Sequence, residues 1–288
     1  MSIPELRAFD AVASEGGFTP AARALGVRQP TVSGQVGALE RRFGVQLIDR
    51  ATGEPTQLGR RLKQLTAPML GLHRAAERLL EGASGAGTRR VRLVVDTPVS
   101  VMPLLQAVRE VIPEAEFDVG VANGGAAMDQ LRAGRADVVV VADAPQGEGF
   151  DRTELARQDL AAVVRHDHRL AAGNAVRLAD LLAEPLVQRE AGSVTRATLE
   201  RAAREIGVKP RLALTVEGRE AAVAAVAAGF GCTVIGEHEF IDDPGVLMLD
   251  LLEPSITLIE YLVCLSGQSR TGIVGAMFAA AESRDHTF

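Results

Sequence analysis

The sequence predicts an α/β chain with a winged helix-turn-helix at its N-terminus, a long linker helix, and a larger domain of alternating strands and helices. Three observations carry that expectation. Residues 82–88, Gly-Ala-Ser-Gly-Ala-Gly-Thr, are all small and have the composition of a hinge. Ahead of them apolar residues recur at spacings of four and three, as on one face of a helix. Behind them β-prone runs alternate with helical ones. The length, 288 residues, suits about two domains rather than one core.

Charge divides at the same place. The whole chain carries −6, which taken alone argues against a nucleic-acid partner. Residues 1–81, however, hold 11 basic and 8 acidic residues, a balance of +3, and the remainder carries −9. Within residues 19–63 the balance is +5. The basic charge is concentrated in one short module.

In that module Ile3, Leu6, Phe9, Val12 and Ala13 predict a helix over 3–15, ended by Gly16-Gly17. Thr19 followed by Pro20 reads as a cap and first helical residue, opening a short helix over 20–25 with Leu25 as its main apolar contact. Gly26 stops it. A second helix is expected over 29–43, burying Val32, Val36, Leu39 and Phe43. Two helices joined by a tight turn containing Gly form a helix-turn-helix, whose second helix enters the major groove of DNA. The residues leading it would be Arg28, Gln29, Pro30, Thr31, Ser33 and Gln35. Gln can pair with adenine through two hydrogen bonds, and Ser or Thr can bond base edges or phosphate. Arg28, Arg41, Arg42 and Arg50 are expected to neutralise phosphates, with Thr19 and Thr52 as further DNA contacts. Val45–Arg50 and the turn and return that follow, to Gly59, read as a wing.

Residues 6–61 resemble the winged helix-turn-helix of LysR-type transcriptional regulators. The resemblance rests on Leu6-x-x-Phe9, Gly17-Phe18-Thr19-x-Ala21-Ala22-x-x-Leu25, Gln29-Pro30-x-Val32-Ser33-x-Gln35-Val36-x-x-Leu39-Glu40, Gly44-Val45-x-Leu47-Ile48-x-Arg50 and Thr56-x-x-Gly59. Arg28 stands where the family has a Ser-type cap, Gly34 and Gly37 where polar or basic residues are common, and Pro55 where Leu is usual. The two glycines remove side chains that could read bases.

The linker helix is expected over 59–81. Leu58, Leu62, Leu65, Met69, Leu72, Ala76 and Leu79 form an a/d seam, and Pro68 is expected to kink it or break its bonding. A seam of this length needs a partner. The resemblance implies the same helix of a second subunit, giving a homodimer and, from two dimers, a homotetramer; packing onto the C-terminal part of the same chain is the alternative.

Beyond the hinge (82–89) strands are expected at 90–95, 116–121, 136–141, 160–165, 185–189, 212–216, 232–235 and 256–266. Helices are expected near 101–111, 124–133, 178–183, 194–206, 219–228 and 270–283. That alternation predicts a parallel sheet. Gly134-Arg-Ala-Asp137 and Val226-Ala-Ala-Gly-Phe-Gly-Cys-Thr-Val-Ile-Gly236 are similar to phrases of the LysR effector-binding domain. The resemblance implies two lobes like a periplasmic solute-binding protein, one at 90–158 with 265–288 and the other at 159–264. The DNA-binding domain would then be residues 1–58.

Open α/β sheets bind ligands beyond the C-terminal strand ends, where helix N-termini favour anions. Two loops meet that condition. One is Asp96–Ser100, with Thr97, Pro98 and Ser100 as candidates. The other is Arg189–Arg196, with Arg189, Ser193, Thr195 and Arg196; two arginines and two hydroxyls there suit a carboxylate, phosphate or phosphonate. Ser193 and Thr195 could equally cap the helix. Glu217 could meet an ammonium group or pair with Arg196. The expected effector is a small anionic metabolite. No cofactor is expected. His166 and His168 lack further ligands for a metal, and no catalytic constellation or dinucleotide fingerprint is present, so no enzyme is expected. Cys232 and Cys264 are too few for a disulfide framework and suit a reducing compartment. With no leader and no apolar membrane span visible, a cytoplasmic protein is expected. The alternatives are a small-molecule-binding protein of the cytoplasm and a redox-sensing regulator using the two thiols.

Overall fold

The computed structural model describes residues 1–83, 90–144, 149–240, 243–252 and 256–283. The chain divides into two compact units, Met1–Thr88 with Arg132–Arg135, and Arg89–Leu131 with Ala136–Phe288. From residue 84 onward the expected hinge lies outside the described residues.

The first unit opens with α1 (Ile3–Glu15), held at its start by a capping box. Ser2 Oγ accepts from Glu5 N at 3.4 Å, and Ser2 N donates to the Glu5 carboxylate at 2.7 Å. Leu6, Phe9 and Val12 are buried, as their spacing predicts. The next helix, α2 (Phe18–Ala24), begins one residue before Thr19, so Gly17 and not Thr19 precedes it. Its contribution to the core is Ala21 and Ala22, whereas Leu25 is 36% exposed. The reading helix, α3 (Gln29–Phe43), buries Val32, Val36 and Leu39. Phe43, expected in the same row, is 58% exposed; the last turn of α3 has outrun the helices that cover its middle.

The wing is short. It holds one antiparallel bridge, Ile48 with Pro55, flanked by Asp49 N donating to Glu54 O at 2.8 Å and Thr56 N to Leu47 O at 2.9 Å. Thr56 Oγ1 then accepts from Gly59 N at 3.1 Å, which caps α4 (Gln57–Ala83). Gly59 is fixed by proximity, because a Cβ there would collide with the Leu47 carbonyl oxygen. The helix continues through Pro68, which has no N–H to donate within it. Pro68 is exposed, so solvent can reach the carbonyl group its missing N–H leaves free. Along the expected seam Leu58, Leu65, Met69, Leu72 and Ala76 are exposed, Leu62 packs partly against the head core, and the side chain of Leu79 lies outside the described residues. Leu70, off the seam, is the residue of α4 that is fully buried in the head core.

The second unit runs β1 (Arg90–Val95), α5 (Met102–Val111), β2 (Glu116–Val121), α6 (Gly124–Arg132), β3 (Val138–Ala142) and β4 (Phe150–Arg165). It continues with β5 (Ala175–Arg177), α7 (Leu178–Leu182), β6 (Pro185–Arg189), α8 (Val194–Glu205), β7 (Arg211–Val216) and α9 (Arg219–Ala227). It closes with β8 (Thr233–Gly236), β9 (Val246–Leu252), β10 (Thr257–Leu265) and α10 (Gly272–Glu282). The strand order is β2-β1-β3-β10-β4-β9-β5, with β8 also on β4 and a separate β6-β7 pair. The β1-β2, β1-β3, β5-β9 and β6-β7 pairs are parallel; every pair made by β4 or β10 is antiparallel. The sheet is therefore mixed rather than parallel.

The long strand β4 explains the two lobes. Its first half pairs with β10, and residues 160–165 pair with β8 and β9. One apolar core gathers β1, α5, β3 and α10, and another gathers α7, α8 and the far half of β4. Since β10 pairs with β3 through Glu260–Cys264, it belongs to the first lobe, whereas the sequence boundary at 264 assigns it to the second. At the β6–β8 contact, Gly231 has φ +144 and lies so close that a Cβ would strike the Pro185 carbonyl. Substituting Gly231→Ala is expected to lower stability by about 2 kcal/mol or more through that clash. A urea melt of the variant against the parent checks it.

Candidate functional site

Two places in the molecule collect chemistry. The first is the N-terminal end of α3. Arg28, Gln29, Pro30 and Thr31 are exposed, Ser33 and Gln35 are half-buried, and the opposite face of the helix is core. Arg28 occupies the cap position in an extended conformation but makes no capping bond with its side chain. Its guanidinium is therefore not required for starting the helix. Arg41, Thr19 and Thr52 are also exposed.

Arg50, expected on phosphate, is paired within the head. Its Nη2 donates to Glu40 Oε2 at 2.5 Å, and its guanidinium lies 5.0 Å from the centre of the Phe18 ring. The other Glu40 oxygen accepts from Leu47 N at 2.8 Å and Ile48 N at 3.1 Å. Glu40, at the C-terminal end of the reading helix, thus holds the wing through two backbone donors and one arginine. Burial pushes its carboxyl up, but those backbone donors and Arg50 outweigh burial and hold it below the usual carboxylate range.

The second place is a cavity of about 220 Å³ between the lobes. Its wall comes from four segments: Thr97, Val99 and Ser100 before α5; Ala156 and Gln158 on β4; His238 and Glu239 in the 3-10 turn after β8; and Glu260 on β10. Behind this wall lies a chain of buried charges. Asp96 Oδ1 is 3.6 Å from Nη2 of both Arg189 and Arg219, and Arg219 Nη2 donates to Asp96 O at 2.8 Å. Arg219 Nε is 3.5 Å from Glu239 Oε2. Arg189 forks onto Glu190, with Nε to Oε2 at 2.9 Å and Nη2 to Oε1 at 3.1 Å, and Gly218 N also donates to Oε2 at 3.2 Å. Against the cost of burial these donors pull the Glu190 carboxyl down to about 2. Asp96 and Glu239 go the other way: burial raises both, despite the two arginines.

Gln158 orients this wall. Its Oε1 accepts from His238 N at 3.2 Å, which fixes the amide so that Nε2 donates to Glu260 Oε1 at 2.8 Å and reaches Glu239 Oε1 at 3.5 Å. Glu260 Oε2 and Thr97 Oγ1, both buried, have no hydrogen-bond partner. Burial is the main reason the Glu260 carboxyl is pushed up to about 7.

Of the expected effector residues, Thr97 and Ser100 line the cavity, and Pro98 belongs to the same turn. The Arg189–Arg196 loop does not form its wall. Arg189 is engaged by Glu190 and Asp96. Ser193 Oγ accepts from Arg196 N and caps α8, which is the capping alternative. Thr195 is buried in the first turn of α8. Arg196 pairs with Glu200 at 2.8 Å rather than with Glu217, which is exposed. Sequence reasoning passed over Gln158, Arg219, Glu239 and Glu260, which converge from separate segments. Glu260 left one signal: a carboxylate in the middle of the apolar strand Thr257–Leu265 is costly unless used.

His166 Nδ1 lies 3.2 Å from Gly245 O, and His168 Nδ1 accepts from Leu170 N at 3.2 Å. Among the described residues no cluster could hold a metal ion, and no helix is long and apolar enough to cross a membrane. Cys232 and Cys264 are buried in separate cores, and burial pushes both thiols up to about 12. Thiols so held carry no reactive thiolate.

An exposed reading helix and a two-lobed domain with a cavity between its lobes define a DNA-binding protein with a ligand-binding part. Residues 3–60 match the family model described as "Bacterial regulatory helix-turn-helix protein, lysR family", and residues 84–284 match "LysR substrate binding domain". The chain belongs to the LysR family of transcriptional regulators. It is 30% identical over 245 residues to the RuBisCO operon transcriptional regulator of Allochromatium vinosum, covering 83% of this chain and 80% of that one. In fold it is similar to full-length CbnR solved with its target DNA (TM-score 0.63, 23% identity, covering 98% of this chain and 99% of that one). It is also similar to the effector binding domain of QuiR in complex with shikimate (TM-score 0.60, 20% identity, covering 67% and 94%).

Two outcomes follow from the carboxylates. Glu40→Ala leaves two buried N–H groups unpaired and is expected to cost about 3 kcal/mol of stability in the head, read by urea denaturation. Because the folded-state pKa of Glu40 is depressed, its contribution is present above about pH 4.5 and is lost as pH falls through the folded value. Glu260 has the opposite sign. It binds its proton more tightly when folded, so stability falls as pH rises from about 4.5 to about 7. Thermal melts across that window should slope downward, and Glu260→Gln should flatten the slope, leaving the same-signed parts of Asp96 and Glu239.

Proposed function

We propose that this regulator binds operator DNA through the N-terminal end of α3 and changes its action when a small metabolite fills the cavity between the lobes. The observation that carries the first half is the division of α3 itself. Val32, Val36 and Leu39 are buried on one side while Arg28, Gln29, Pro30 and Thr31 are presented on the other. Ser33 and Gln35 sit between, within reach of a groove, with Thr19, Arg41 and Thr52 along the flank. Arg50 supports them by fixing the wing rather than as the main phosphate ligand. The CbnR complex, similar across nearly the whole chain, is a DNA-bound example of this fold.

The exposed apolar row Leu58, Leu65, Met69 and Leu72 on α4 supports pairing of two copies through this helix. A dimer presents two reading helices to one duplex, and two dimers make the tetramer expected of this architecture. Such a protein works in the cytoplasm, where the chromosome is accessible. For the second half, the cavity is smaller than the ~300 Å³ at which drug-sized pockets begin, so the effector is a small metabolite. Its acidic group is received at the turn that opens α5, beside Val99 and Ser100, where a helix N-terminus favours negative charge. QuiR, in its shikimate complex, holds a small carboxylate in a domain of the same fold.

Fluorescence anisotropy on the intergenic DNA upstream of the protein's own gene tests the reading. Binding should weaken steeply with salt, and Arg28→Ala or Arg41→Ala should each reduce the salt slope by about one ion while weakening all sequences. Gln29→Ala should cost about 1–3 kcal/mol on the operator and little on unrelated DNA. Loss of no affinity in any of the three would remove α3 from the interface. Leu65→Glu with Leu72→Glu should yield monomers by analytical ultracentrifugation.

A further inference from the structure

The described wall of the cavity and the charges behind it are unbalanced. Four carboxylates, Asp96, Glu190, Glu239 and Glu260, share two guanidinium groups, those of Arg189 and Arg219. Arg189 is forked onto Glu190, and Arg219 lies between Asp96 and Glu239. Glu260 has no such counter-charge. It is 5% exposed and only neutral donors meet it: the Gln158 amide bonds one oxygen, the Ser100 hydroxyl lies near, and Oε2 has no partner at full hydrogen-bond geometry. Thr97, 3% exposed and lining the same cavity, has a hydroxyl without a partner. A buried carboxylate oxygen and a buried hydroxyl, both idle on one cavity wall, indicate a missing donor that is positively charged.

We propose that the effector carries a protonated amine, bound in the cavity with the Glu260 carboxylate as its counter-charge and Thr97 Oγ1 as a second acceptor. The inference rests on the reading of this cavity as the effector site. Combined with an acidic group at the start of α5, it makes the ligand a zwitterion of amino-acid type. A primary ammonium is donor-only, and Glu260 Oε2 and Thr97 Oγ1 supply two buried acceptors for it. Specificity follows from the same geometry: an acid lacking the amine leaves Glu260 and Thr97 unpaired, whereas the amine replaces that loss with a charge-assisted contact.

The groups facing Glu260 set the pH dependence. Burial holds its carboxyl near 7. The Ser100 hydroxyl draws it down, Glu239 and Asp96 drive it up, and Arg219 draws it down. His238 also lines the cavity and lies 3.7 Å from Glu237. An ammonium ligand binds the ionised carboxylate, so its affinity must rise about tenfold per pH unit up to about 7 and level off above. An affinity that fell over the same interval would overturn the assignment.

Thermal shift and calorimetry on the full chain test this with three matched probe sets at millimolar concentration. The sets are small L-amino acids, the same acids without the amine (propionate, succinate, glutarate), and the same amines without the carboxylate. At least one amino acid should raise the melting temperature, its amine-free counterpart should not, and affinity should rise with pH as above. Glu260→Gln, which keeps the shape and the Gln158 contact, should weaken binding about a hundredfold, and Thr97→Val about tenfold. A far-UV circular dichroism spectrum like the parent's and a single cooperative melt show that each variant is folded. Equal binding by amine-free acids, lost in Thr97→Val, would overturn the amine and leave the effector site standing. Amino-acid binding unaffected by both variants would place the ligand elsewhere and overturn both readings. If no compound of any set shifts the melt, the ligand belongs to another class and the proposal is wrong.

Discussion

A carboxylate taken out of water must be met by donors, paired with a cation, or left protonated, and both halves of this molecule are organised by how they meet that demand. In the head, Glu40 is met in full: two backbone N–H groups and Arg50 occupy its oxygens. That satisfaction is what joins the wing to the reading helix, because the wing itself has a single β-bridge. In the larger domain Glu190 is met equally well and is strongly ionised, while Asp96 and Glu239 share their arginines and are raised. Glu260 is met by neutral donors alone, the Gln158 amide and the Ser100 hydroxyl. The gradient from full to partial satisfaction runs from scaffold to site. A fully paired group holds a fold together; a half-paired one is available to a ligand.

Much of this was legible in the sequence where the signal is local. The three helices of the head and the burial of Val32, Val36 and Leu39 are written in spacing and in Gly positions. The errors in the head are equally local. Thr19-Pro20 has the chemistry of a helix start, yet α2 begins at Phe18, since Pro is tolerated anywhere in a first turn. Phe43 keeps the helical row but has no partner at its height. In the larger domain the first half of β4, Phe-Asp-Arg-Thr-Glu-Leu-Ala-Arg-Gln-Asp, shows no clean alternation of apolar and polar residues. Its side chains are stabilised by pairing, such as Arg152 4.4 Å from the Tyr261 ring, rather than by burial of an apolar face. A strand of that kind is silent to periodicity, and so was the lobe crossing it makes.

The site was less legible than the fold for a different reason. Loop chemistry at Arg189–Arg196 looks like an anion site because arginines and hydroxyls stand together in sequence. Their partners stand elsewhere: Glu190 and Asp96 for Arg189, Glu200 and the Arg189 carbonyl for Arg196. Local composition shows which charges are present but not which are already neutralised. That depends on register, and register between β4 and β10 is what sets Gln158 beside Glu260 across the sheet.

This arrangement also explains how occupation of the cavity can reach the relation between the lobes. Thr97 is adjacent to Asp96, and Asp96 is the first-lobe residue that faces Arg189 and Arg219 from the second. Glu239, on the cavity wall, shares Arg219 with it. Charge added at Glu260 and Thr97 therefore changes the competition for the same two guanidinium groups that hold the lobes to one another. A ligand can shift a conformational equilibrium only by the difference in its affinity for the two states. Here the difference arises wherever lobe closure alters the distance between Asp96 and its arginines while Glu260 is neutralised. Linkage makes the effect reciprocal: if ligand binding favours one DNA-bound arrangement, operator DNA must change the affinity for the ligand by the same factor.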